Sequence, residues 1–167
     1  MSKSIGNVTC PFSLIETFGP HSVRTYFLSE GPLLKDANFD EANVKELHNG
    51  FICDQYVNLL NRVRGKKVMK CMPTSFVYRA DQTTKDEFSE LVDQVELLAS
   101  QAVTEMENLD FPKAFAKIQH LIHLGNANLS TREFWLLAKS KEENDLRLLE
   151  NLLYLTFEIS RIASLLL

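Results

Sequence analysis

Cysteine is scarce in this chain, with three residues in 167: Cys10, Cys53 and Cys71. The count is odd and no C-x-x-C occurs, which argues against a disulfide framework and against a zinc knuckle and favours a reducing compartment. No apolar run approaches the roughly 18 residues of a membrane span, so no membrane partner is expected. The first residues hold neither the apolar core of a secretory signal nor an Arg-rich amphipathic presequence, so a targeting segment is expected only upstream. Excess positive charge is also missing. The formal net charge is −4, which excludes a general electrostatic nucleic-acid binder and makes any RNA contact local. A Ser-His-Asp pattern, a P-loop and a Rossmann glycine fingerprint are absent as well.

What is present is helical periodicity. The chain is 45% hydrophobic and 24% charged, the balance of one ordinary globular domain, without internal repeats. Pro11 to Phe18 reads as a short helix stopped by Gly19, and about Pro20 to Ser29 as a second, stopped by Gly31-Pro32. Asp36 to Asp40 is a turn in which Asn38 or Asp40 can cap the next helix. That helix runs from about Glu41 to Arg64, with Val44, Leu47, Phe51, Tyr56, Leu59, Leu60 and Val63 as its apolar stripe and Gly50 as a bend. Residues 65–83 are expected to form a loop. Phe88, Leu91, Val92, Val95, Leu98 and Ala102 define an amphipathic helix from about Thr84 to Leu109. Phe111-Pro112 starts another helix to about Leu124. Gly125 to Asn128 reads as a break leading to a short segment through Trp135, and a last helix spans about Glu142 to Leu166. The fold class is all-α: a bundle of about five main helices preceded by a loop and short helices.

Three features carry chemistry. "MSKSIGNV" is a small-residue polar loop presenting one cation, Lys3, beside Ser4; such a lysine can swing onto phosphate. In "VNLLNRVRGKKVMK", Asn58 and Arg62 are four apart and share a helix face. Arg62, Arg64, Lys66, Lys67 and Lys70 occur without an acidic residue between them, a positive patch suited to phosphate contacts. Asn offers a donor and an acceptor to a base edge, and Arg a fork or a stacking plane. The third feature is Trp135, the single tryptophan. A lone Trp is ordinarily core, but one beyond a helix break can stay exposed and stack on an unpaired base. His120 and His123, three apart on a helix, have no carboxylate–cysteine pattern beside them, and no metal site is expected.

"MSKSIGN" resembles the K-M-S-K-S-x-G-N signature of class I aminoacyl-tRNA synthetases. "NVTCPFSLIETFGPHSVRTYFLSEGPLLKDANFDE" resembles the segment just after that signature in methionyl-tRNA synthetases, and Glu30-Gly31-Pro32 and Lys35 to Phe39 favour methionine over the valine, isoleucine, leucine and cysteine enzymes. The resemblance covers nearly the whole chain and weakens between about Arg64 and Ala80. It implies residues 1–35 as signature loop and end of the catalytic core, and residues 36–167 as the helical anticodon-binding domain. Lys3 is then the catalytic, ATP-binding lysine, with Ser4 beside it. Asn58, Arg62 and Trp135 read the anticodon, and Arg64, Lys66, Lys67 and Lys70 contact tRNA backbone. Asn126, Leu137 and Lys139 are in register with the family's Trp motif. Asn128 replaces its tyrosine and Phe134 its proline, which is expected to remove a packing group and loosen the turn that aims the indole. His21 replaces the acidic residue that ordinarily faces the helix arginine, here Arg24.

The implied activity is ATP-dependent ligation of methionine to tRNA(Met), with Mg2+ accompanying ATP. The Rossmann catalytic domain is expected to be absent from this chain, Met1 coinciding with the internal methionine of the signature and Leu167 falling short of the family's final helix. The chain alone is therefore expected to be inactive. A monomer is expected, in the mitochondrial matrix or alternatively the cytoplasm. A non-catalytic helical RNA-binding or protein-interaction module of synthetase descent is the alternative function.

Overall fold

The computed structural model describes residues 9–31, 39–70 and 82–167. Helix α1 (Pro11–Glu30) has Pro11 in its first turn and contains Pro20. Gly19 interrupts it with φ 79° and ψ 157°, a conformation open to glycine, so α1 is the two expected helices joined across a kink. Helix α2 (Glu41–Leu47) starts on Asp40, whose carboxylate accepts the Ala42 N–H at 2.9 Å. The π-helical segment His48–Val57 continues it without interruption and passes into α3 (Asn58–Val63). The expected long helix is therefore one rod, and Gly50 lies in a stretch of wider winding. There Phe51 and Tyr56, five residues apart, stack at 6.5 Å with an interplanar angle of 9°.

Helix α4 (Lys66–Met69) corrects the expected loop at its start. Gly65 leads into one turn, and buried Val68 anchors it in the core, a tertiary contact that local sequence does not announce. Helix α5 (Gln82–Glu107) buries Phe88, Leu91, Val95, Leu98 and Ala102, while Val92 is half-buried. Leu109 at φ 60° turns the chain, and Asp110 caps α6 (Phe111–Thr131) by accepting the Lys113 N–H. The remaining elements are α7 (Phe134–Leu137) and α8 (Glu143–Leu166).

Helix α6 is the centre of the bundle. It packs against α5 and α8, and also against α1, the π-helical segment and α3. The expected break at Gly125 to Asn128 does not occur. Gly125 is buried inside α6, and a Cβ there would lie 3.0 Å from Leu59 Cδ2 and 3.5 Å from Ile159 Cγ2. The glycine allows α3 and α8 to approach α6, and that packing outweighs its weak helix preference of about 1 kcal/mol. Among the described residues there are helices and no strand. The all-α expectation holds. The expected boundary at residues 35 and 36 lies outside the described residues.

Candidate nucleic-acid interface

Helix α3 and the C-terminal turns of α6 lie side by side, and Arg62 spans the gap. Its Nη1 donates to the Asn126 carbonyl at 3.1 Å and to Asn126 Oδ1 at 3.0 Å, and its Nη2 donates to Ser130 Oγ at 2.8 Å. Asn126 is itself fixed: its Nδ2 donates to the carbonyls of Gln55 and Ile122 at 3.1 and 3.3 Å. Continuation of α6 past Gly125 puts Asn126 and Ser130 on the face toward α3, one turn apart. Partial burial lowers the Arg62 pKa from its usual value, yet the group stays charged at neutral pH.

After α6, Glu133 takes the left-handed conformation at φ 45° and reverses the chain into α7. Phe134 then points inward, 8% exposed, and Trp135 points outward, 42% exposed. The Arg62 guanidinium lies over the Phe134 ring, 5.4 Å from its centroid, and the Trp135 indole packs edge-on against that ring at 5.5 Å and 79°. Arg62, Phe134 and Trp135 thus form one continuous unit. At the position where the turn is expected to loosen, the buried Phe134 ring touches both the Arg62 cation and the Trp135 indole. Asn128, at the position of the lost aromatic, turns its amide to the Leu124 carbonyl at 3.2 Å.

Asn58 is exposed on α3, one turn before Arg62. Arg64, Lys66 and Lys70 are exposed just beyond it, and the side chain of Lys67 lies outside the described set. Lys3 and Ser4 lie outside the described residues. His120 and His123 are exposed, their rings 6.5 Å apart and tilted by 48°. The roles of Asn126, Ser130 and Phe134 are not legible in the sequence. A helix running through Gly125 is the missing premise for the first two.

The face can do three things chemically. The indole offers an apolar plane, the Asn58 amide offers a donor and an acceptor, and Arg62 keeps Nε–H and one Nη2 hydrogen beyond those bonds.

A family model described as "tRNA synthetases class I (M)" matches residues 1–64. The chloroplastic/mitochondrial methionine–tRNA ligase of Arabidopsis thaliana is 34% identical over 139 residues, covering 83% of this chain and 22% of that protein. The methionine–tRNA ligase of Mycobacterium leprae is 28% identical over 169 residues, covering 99% of this chain and 30% of that protein. The chain belongs to the methionyl-tRNA synthetase family. A solved methionyl-tRNA synthetase from Mycobacterium tuberculosis, in complex with methionyl-adenylate, superimposes with a TM-score of 0.83 at 25% identity over 99% of this chain and 32% of that one. The chain spans less than a third of the length of these relatives. Among its described residues, no helix is long and apolar enough to cross a membrane.

Proposed function

We propose that this chain is the C-terminal portion of a methionine–tRNA ligase, supplying the phosphate-contacting loop and the bundle that binds the CAU anticodon of tRNA(Met). In this reading residues 1–35 end the catalytic core and residues 36–167 are the anticodon-binding domain. A nucleotide-binding domain outside this chain takes methionine and ATP with Mg2+, and Lys3 and Ser4 contact the ATP phosphates. The full enzyme works as a monomer in the mitochondrial matrix. The Arabidopsis relative, whose name places it in chloroplasts and mitochondria, supports an organellar home.

The observation that carries the reading is the joining of Arg62 to Trp135 through Phe134, with Asn58 one turn away on the same helix. Residues from distant parts of the chain converge on a face that has a stacking plane, a fixed cation and an amide. Trp135 stacks on an unpaired anticodon base, Asn58 pairs with a base edge, and Arg62 donates from its remaining N–H groups. Arg64, Lys66, Lys67 and Lys70 hold the tRNA backbone.

Base stacking and direct base contacts contribute about 1–3 kcal/mol each. Trp135→Ala and Arg62→Ala should therefore each weaken binding of a CAU anticodon stem-loop by roughly ten- to a hundredfold, with little change for an anticodon-swapped loop. The measurement is the Kd of the 167-residue chain for both loops at fixed salt. Equal loss on both loops would remove the base-reading role. Equal affinity for both loops in the unmodified chain would favour the non-catalytic interaction module.

A further inference from the structure

In the π-helical segment His48–Val57, hydrogen bonds of the i to i+5 type bring residues five apart into line. His48 and Cys53 are such a pair, and His48 Nε2 lies 3.5 Å from Cys53 Sγ. In ordinary α winding, neighbours on one face are three and four residues apart, so the wider winding creates this contact. The other ring nitrogen, Nδ1, lies 2.7 Å from Ser22 Oγ on α1. Ser22 is 3% exposed, and the Phe18 ring stands 6.3 Å from the imidazole. The ring is held from one side by a buried hydroxyl, while the thiol it faces is exposed. A nucleophile beside a base, with the base oriented by a third group, is the arrangement that activates a thiol.

We propose that Cys53 is a nucleophilic thiol that reacts with hydroperoxides, with His48 as its general base and Ser22 as the group that orients the imidazole. The tautomer that donates Nδ1–H to Ser22 Oγ leaves the Nε2 lone pair facing the thiol. The thiol proton passes to Nε2 as the sulfur electron pair attacks one peroxide oxygen. The O–O bond breaks, and the departing hydroxide, or alkoxide from an organic hydroperoxide, takes the proton from the imidazolium and leaves as water or alcohol. Sulfur keeps the transferred hydroxyl as a sulfenic acid, having supplied the two electrons that reduce the peroxide. This site is independent of the Arg62 face, although both lie on the rod formed by α2, the π-helical segment and α3.

The test exposes the 167-residue chain to hydrogen peroxide in the presence of dimedone, which traps sulfenic acid, and maps the adducts by peptide mass spectrometry. Cys10, also exposed, is the internal reference. Cys53 should be trapped at least about tenfold faster than Cys10, a modest share of what a positioned base contributes. His48→Gln and Ser22→Ala should each bring the Cys53 rate down toward that of Cys10 at unchanged helicity. Equal rates for the two thiols in the unmodified chain overturn the proposal, and so does a helical H48Q chain that keeps the fast rate. The comparison within the unmodified chain stands even where a variant fails to fold.

Discussion

Phe134 and Trp135 are adjacent and have opposite fates, because the left-handed Glu133 aims one inward and the other outward. The buried ring contacts both the Arg62 cation and the indole, so it positions the two groups that the proposed function assigns to the anticodon. Phe134→Ala should cost about 3 kcal/mol of stability, the usual loss for a truncated core aromatic. Trp135→Ala should cost no more than about 1 kcal/mol, since much of the indole is already in water. Urea denaturation of the two variants measures both. A Trp135→Ala loss equal to that of Phe134→Ala would make the indole a structural residue. The sequence points to an exposed indole on the wrong ground, a helix break that is absent. The true ground is one reversed residue after an unbroken helix.

Helix α6 shows how packing overrides local preference. Gly125 and Asn126 read locally as a stop, yet the helix continues to Thr131 because Leu59 and Ile159 need the space a side chain would take. Gly125→Val should therefore destabilise the bundle by about 1–3 kcal/mol, the ordinary range for overpacking a core. Thermal unfolding monitored by helicity checks this, and an unchanged Tm would show that α3 and α8 can retreat. The same continuation places Asn126 and Ser130 under Arg62. The winding of the His48–Val57 segment is likewise hidden in the sequence, since an apolar stripe at helical spacing does not distinguish i+4 from i+5 bonding.

At the scale of the whole molecule, the described residues form one helical bundle with an exposed cationic stretch after α3. A dinucleotide- or ATP-binding fold of the Rossmann type requires a parallel sheet. The 167-residue chain alone should therefore give no methionine-dependent ATP–pyrophosphate exchange above background, and measurable exchange would refute the assignment of catalysis to another domain. Lys66→Ala and Lys70→Ala should weaken tRNA binding irrespective of anticodon, each flattening the dependence of log Kd on log salt by about 1. A salt titration of the variants decides whether these lysines act through phosphates.

The helical class, most element positions and the residues of the core stripes can be read from the amino-acid order alone. Those depend on periodicity and caps, which are local: Val44, Phe51, Leu59 and Val63 are buried as their spacing requires, and Asp40 caps α2. The family resemblance was also legible, because it rests on contiguous runs of residues. The packing of helix on helix is what ties Arg62 to Asn126 and Ser130, joins it through Phe134 to Trp135, and sets His48 against Ser22 as well as Cys53. Each of these depends on how closely two helices approach, and that distance is set by side-chain volumes contributed from both partners.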